Sequence, residues 1–234
     1  MNIIQRNFLR LLRAGAFGSK SQLEPMSEWK WQQLYQLSRR HGVTPWVADG
    51  INAMADDFFL QLSPTLHSQF ADDDTERIEE YGHLALSNPM LNERLQQIAQ
   101  EAGPDDLTYE LLHNIVAIAR TMLSRGVSLR ELITLGTYLR RTHDPIDYPR
   151  LHQWLDKLGM GHMARLEAGL LVELFQFAPD EIHFAQAAQG KSVSRLVDDL
   201  FLQKRRMRYI AYFPREAVVN YTTSLFHELR NIEE

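Results

Sequence analysis

Cysteine is absent from these 234 residues, which removes disulfides, thiolate nucleophiles and cysteine-ligated zinc from consideration. Long apolar runs are missing as well. None approaches the roughly 18 residues that a membrane span requires. In the opening segment Arg10 and Arg13 interrupt Phe8, Leu9, Leu11 and Leu12, so the unbroken apolar centre of a signal peptide is lacking. The expected compartment is therefore the cytoplasm, with no membrane association. Positive charge is not in excess either: a net charge of −5 carries no global nucleic-acid signal. There is no repeat or low-complexity tract, and no Gly-x-Ser-x-Gly elbow, Walker motif or His-Glu-x-x-His.

What is present is an ordinary globular composition, 44% hydrophobic, 24% charged and 10% aromatic, on a chain long enough to bury a substantial core. Apolar residues recur at helical spacing almost throughout. From about Leu107 to Leu123, the residues Tyr109, Leu112, Val116, Ala119 and Leu123 form one stripe. Leu111, Ile115, Ile118 and Met122 widen it, so this helix is expected to be the most buried. The next helix places Leu129, Leu132, Ile133, Gly136 and Leu139 on one face and ends near Arg140-Arg141, where cations suit the unpaired carbonyls. Asp147 is a good N-cap for a helix carrying Leu151, Trp154, Leu155 and Leu158. Gly159 and Gly161 then separate it from a helix through Met163, Leu166, Leu170 and Leu174. Beyond Pro179 follow a short helix, a break at Gly190, a helix with Val193, Leu196, Val197 and Leu200, and a last helix after Pro214.

Upstream, helices are expected around Ile4–Arg13, Glu28–Arg40 and Pro45–Ala55, with Trp29, Trp31 and Trp46 read as packing residues. A longer helix is expected from about Thr75 to Gln100, bent at Asn88-Pro89 where proline removes a hydrogen bond. The one strand candidate, Met207–Phe213, has no partner, and a lone strand makes no stable sheet. The fold class is thus all-α: an irregular multi-helix bundle of about ten helices. It is read as a single helical domain over residues 1–234, with a weak seam at 103–106, in Gly103-Pro104-Asp105-Asp106.

Few side-chain patterns carry chemistry. Glu80-x-x-His83 and Glu110-x-x-His113 have the spacing with which ferritin-like bundles hold a pair of metal ions. Gly82 interrupts the first, and inward glutamates on other helices are hard to find, so accidental spacing is the simpler reading. Asp72-Asp73-Asp74 could hold magnesium, but carboxylates for that chemistry are presented rigidly, and this run reads more simply as capping a helix at Thr75. Gly18-Ser19 and Gly159-x-Gly161 follow no strand and read as helix breaks. The sharpest charge feature is Lys204-Arg205-Arg206-Arg208, with Arg195 and Arg215 nearby and Tyr209, Tyr212 and Phe213 interleaved. These six cations form a candidate surface for a phosphate-bearing ligand or a partner.

Trp31-x-x-Leu34-x-x-Leu37-Ser38-x-x-His41-Gly42-Val43-x-Pro45 resembles the N-terminal helical segment of a family of uncharacterised bacterial nucleotidyltransferases. Leu111-Leu112-His113, Ser128-Leu129-Arg130-Glu131-Leu132-x-x-Leu135, Ile146-Asp147-Tyr148-x-x-Leu151 and Leu158-Gly159-Met160 are similar to its C-terminal helices, and Phe213-Pro214-Arg215-Glu216 to a tail motif. Thr134 stands where that family usually carries an aspartate. The family's small α/β core, with an apolar strand ending in Lys-Gly and a strand reading Gly-Asp-x-Asp, has no counterpart here: Leu95–Glu101 runs directly into Gly103-Pro104-Asp105-Asp106. No catalytic residue is carried over, because no position matches.

The resemblance implies a non-catalytic helical relative of that family, a binding or regulatory partner protein with no catalytic, metal or cofactor-binding residues and no cofactor. It implies a protein partner; a phosphate-bearing ligand is the further option that the basic run at residues 204–208 leaves open. The alternative is a degenerate nucleotidyltransferase with carboxylate-bound magnesium on Asp72–Asp74 and Asp105-Asp106, or a helical di-metal carboxylate protein.

Overall fold

A computed structural model describes residues 1–73, 84, 86, 88–103, 105–142 and 146–202. Among the described residues there are ten α-helices, one 3₁₀ turn and no strand. The protein is all-α. None of the described helices is long and apolar enough to cross a membrane. The chain divides into two compact units, Met1–Glu80 and Tyr81–Glu234, and residues 103–106 fall inside the second. The strand candidate Met207–Phe213 and the helix after Pro214 lie outside the described residues.

The first unit holds α1 (Ile3–Phe17), α2 (Glu28–Arg40), α3 (Thr44–Ala53) and α4 (Pro64–Ala71). Asn2 and Gln5 open α1 with a reciprocal capping box, each side chain accepting from the other's backbone N–H. Gly18, at φ 68°, closes it in the left-handed conformation that glycine adopts without strain. Phe8, Leu11 and Leu12 of α1 pack with Trp31 and Leu34 of α2 and Val43 and Val47 at the start of α3, all buried. The chain between α1 and α2 is pinned by Glu24, whose carboxylate receives Arg6 and Arg10 and whose backbone exchanges two hydrogen bonds with the Asn7 amide. Trp31 and Trp46 are core residues as expected, but Trp29 is 67% exposed. Two residues turn a helix by about 200°, so Trp29 and Trp31 stand on opposite faces and cannot both face inward.

The second unit holds α5 (Pro89–Ala102), α6 (Leu107–Arg125), α7 (Leu129–Arg141), α8 (Tyr148–Leu158), α9 (Gly161–Phe175), the 3₁₀ turn Pro179–Glu181 and α10 (Lys191–Leu202). Asn88-Pro89 does not bend a helix; it starts one, and residues 74–83, 85 and 87 of the long helix expected from Thr75 lie outside the described residues. The Asn88 side chain accepts from the N–H groups of Met90 and Leu91, and Pro89 occupies the first turn, where its missing N–H has no intrahelical partner to lose. Asp106 caps α6 by accepting from Thr108 and Tyr109, and its other oxygen pairs with Arg150 of α8. The Thr108 hydroxyl accepts the Asp147 N–H at 3.1 Å, so the starts of α6 and α8 are stitched together. Tyr138 of α7 donates to the Leu107 carbonyl at 2.7 Å. Burial above all, with the negative charge of Glu110, pushes its phenol up to about 12, so it stays a donor at any ordinary pH. Leu111, Leu112, Ile115, Val116, Ile118 and Met122 of α6 are all buried, while Tyr109 and Leu123 of the expected stripe are part-buried, and α9 buries a larger share of its residues than α6. In α9, Met163, Leu166, Leu170, Leu171 and Leu174 are buried.

Candidate functional site

Of the cationic surface read from the sequence, Arg195 lies on the exposed face of α10; Lys204, Arg205, Arg206, Arg208 and Arg215 lie outside the described residues. The acidic candidates are placed in local structural roles. Asp72 follows the last turn of α4, where its N–H bonds to the Ser68 carbonyl; the helix from Thr75 that this acidic run is expected to cap lies outside the described residues. The Asp73 side chain is almost fully covered, accepting the Tyr35 hydroxyl and pairing with Arg39, each at 3.3 Å. Asp74, Glu80 and His83 lie outside the described residues. Glu110 is exposed on α6 while His113 is half-buried, with its ring 6.3 Å from that of Tyr109. Among the described residues no group of three or more His, Asp or Glu side chains is placed to hold a metal ion.

Thr134 turns its hydroxyl back to the Arg130 carbonyl one turn earlier. Gly159 caps α8 at φ 67°, and Gly161 begins α9. Both glycines serve helix ends, as their context suggested.

A cavity of about 670 Å³ lies in the second unit, between the C-terminal half of α9, residues 186–190 and the start of α10. Gly169 makes it possible. A methyl group there would overlap the Ala188 carbonyl and stand 2.7 Å from Val193 Cγ2, so only glycine admits the loop to the helix surface. The Ala188 N–H donates to the Arg165 carbonyl at 2.8 Å and fixes that approach. The Ser194 hydroxyl is engaged with the Gly190 carbonyl at 3.2 Å. Among the described lining residues Glu173 is the only charged side chain, which opposes an anionic occupant; Arg195 is not part of the lining.

The feature that sequence reasoning missed is an acid in the core. Glu167 of α9 is completely buried, and among the described residues neither carboxylate oxygen has a hydrogen-bond partner. Burial, followed by the negative charge of Glu131 on α7, raises its carboxyl far above the ordinary range. Glu131 in turn accepts the Thr121 hydroxyl of α6 at 2.7 Å. The signal was available in the stripe Met163, Glu167, Leu170, Leu174, which has helical spacing and one ionisable member. Chemically, such a carboxyl is suited to keeping a proton at neutral pH.

No family model, curated protein or solved structure matches the chain.

Proposed function

We propose that this protein is a non-catalytic helical relative of the bacterial nucleotidyltransferase family it resembles, acting in the cytoplasm as a binding or regulatory partner of another protein. The observation that carries the reading is where the resemblance falls. Trp31, Leu34, Ser38 and Val43, then Leu111, Leu112, Leu129, Leu132, Leu135, Leu151 and Leu158, are buried in the cores of helical units. His41 belongs to the same framework, its ring 6.1 Å from that of Phe8. These residues supply a scaffold, and Asp73 and Asp106 are engaged in capping and pairing. Magnesium-dependent nucleotidyl transfer needs acids held in rigid alignment toward a shared ion. Asp106 instead faces two backbone N–H groups and an arginine.

The test is turnover. The full chain, incubated with magnesium and each nucleoside triphosphate, is expected to release no pyrophosphate above the protein-free rate. Release that depends on magnesium and disappears in Asp73→Asn or Asp106→Asn would replace this reading with the degenerate-transferase alternative. Phosphate-bearing ligands are the second option, through Arg195 and the cations that follow it. Salt-sensitive binding of a nucleotide or nucleic acid, weakened in Arg195→Ala, would support that option.

A further inference from the structure

A carboxylate taken from water into an apolar interior is strongly disfavoured unless charges or donors compensate it. Among the described residues Glu167 has neither: it is completely buried, both its oxygens lack a donor there, and Met163, Ala164, Leu170 and Leu171 around it on α9 are buried too. The helices packed against α9 are α6, α7, α8 and α10. From α7 comes Glu131, a like charge. From α6 comes Thr121, whose hydroxyl is given to Glu131. Helix α8 contributes Trp154, Leu155 and Leu158 to the core, and α10 contributes Val193, Leu196 and Val197. Helix α10 also carries a buried acid, Asp199, which does not figure among the charges acting on Glu167. Among the described residues no cation acts on Glu167.

We propose that Glu167 is held as the neutral acid in the folded second unit and works as a proton-dependent latch: with the proton in place α9 packs against α7, and losing it loosens that contact. The direction follows from the arrangement, and it is independent of the proposed function. Below the carboxyl's ordinary range, near 4.5, folded and unfolded chains both carry the proton and Glu167 adds no pH dependence. As pH rises above that range the unfolded chain releases its proton while the folded one retains it, so stability falls with pH until the folded carboxyl itself ionises. Once it ionises, its charge is opposed by the negative charge of Glu131 on α7. An acid buried in a core without a partner violates the ordinary rules of packing, and such violations mark positions that serve more than stability.

Two measurements on the full chain test this. The first needs no variant to fold differently: infrared spectra of the wild type at neutral pH are expected to show a protonated-carboxyl stretching band that Glu167→Gln removes. The second compares thermal unfolding of wild type and Glu167→Gln across pH. The two are expected to melt within about 1 °C of each other near pH 4.5, and the Glu167→Gln variant to melt about 4 °C higher than wild type near pH 9. Glu131→Gln, which removes the like charge, is expected to shrink that gap. If Glu167→Gln does not fold, Glu167→Leu takes its place, with the same widening expected. A wild-type spectrum without the band, or melting curves of wild type and variant that run parallel from acid to alkali, would overturn the proposal.

Discussion

Gly50 of α3 lies so close to Leu11 of α1 that a methyl group on it would overlap the Leu11 carbonyl oxygen and stand 2.7 Å from the carbonyl carbon. Gly15 of α1 makes the reciprocal approach to the Trp46 carbonyl and would bring a methyl within 2.7 Å of the Gly50 N atom. The two helices therefore cross backbone to backbone, and nothing at the contact is a flexible side-chain end. Alanine at position 50 would favour the helix by about 1 kcal/mol on propensity, but overpacking costs about 1–3 kcal/mol or more. We expect Gly50→Ala to destabilise the first unit by about 2 kcal/mol, with Gly15→Ala similar. Gly161→Ala is the control: its methyl would meet nothing nearer than Asp156 Oδ1 at 3.7 Å, and it should be neutral or slightly stabilising. Urea unfolding measures all three. Equal midpoints for the alanine variants at 50 and 161 would show that the crossing can open without penalty.

His41 gives the first unit an acid weakness. Burial, with help from the neighbouring Arg40 charge, pulls its imidazole down from 6.5 to about 4. A base that is depressed in the folded state binds its proton more readily once unfolded, so stability is complete above about pH 6.5 and is lost as pH falls toward about 4. After a discount for partial exposure, the loss across this window should be roughly 2 kcal/mol. His41→Gln, which cannot gain the proton, is expected to flatten the decline. Circular dichroism melts between neutral and acid pH decide it; a wild type and variant that decline in parallel would assign the acid sensitivity elsewhere.

The helices are legible in the sequence because helical spacing and chain-end chemistry agree. Arg140-Arg141 does end α7, Asp147 does cap α8 by accepting from Arg150, and Gly159 does close it. Helix α4 is not legible, because its eight residues carry only two buried side chains, Leu66 and Phe70, too few to display a period. Asn88-Pro89 misleads because proline inside an apolar pattern is compatible with a kink or a start, and only the Asn88 cap bonds distinguish them. Glu167 is hidden for a different reason. Periodicity records that a position faces inward but assumes apolar occupants, so a lone acid on the stripe is discounted instead of flagged. The close approaches at Gly15, Gly50 and Gly169 depend on tertiary packing and leave no mark beyond the glycines themselves.

Asp106 separates capping from charge. One oxygen receives the Thr108 and Tyr109 N–H groups at 2.9 and 3.1 Å; the other meets Arg150, whose guanidinium also lies 4.6 Å from the Trp154 ring centre. Burial opposes the charged form, but the Tyr109 N–H and Arg150 outweigh it, and the carboxyl sits below its ordinary range. Asp106→Ala loses the cap and the pair, and should destabilise the second unit by about 2 kcal/mol. Asp106→Asn keeps an acceptor for the helix start and should cost about 1 kcal/mol or less, since partly exposed ion pairs contribute little. Because the native carboxyl is depressed, the Asn variant's deficit should vanish as pH falls below about 3.8. Thermal melts at neutral and acid pH check both points; an Asn variant as unstable as the Ala variant would make the arginine pair dominant over the cap.

Gln176 is the residue most easily improved. It closes α9 at φ 58°, the only non-glycine residue with positive φ among those described, and its N–H bonds to the Val172 carbonyl at 3.0 Å. An L side chain in the left-handed region costs about 1–2 kcal/mol, whereas glycine loses mainly through the larger freedom of its unfolded chain, about 0.5–1 kcal/mol. The chain tolerates the strain because the following residue is held from both sides. Phe177 is buried, Arg140 lies 4.1 Å over its ring, and Arg140 also pairs with Glu181 at 2.9 Å, so the exit from α9 is fixed whatever occupies position 176. Gln176 itself is exposed and supplies no packing that glycine would remove. Gln176→Gly should therefore stabilise the second unit by about 0.5–1 kcal/mol, raising its melting temperature by about 2–4 °C. Arg140→Ala in the same background should lower it, because the clamp that holds the turn is lost along with the ring contact. A glycine variant that melts below the wild type would mean that the turn is set by its side chain and not by its backbone.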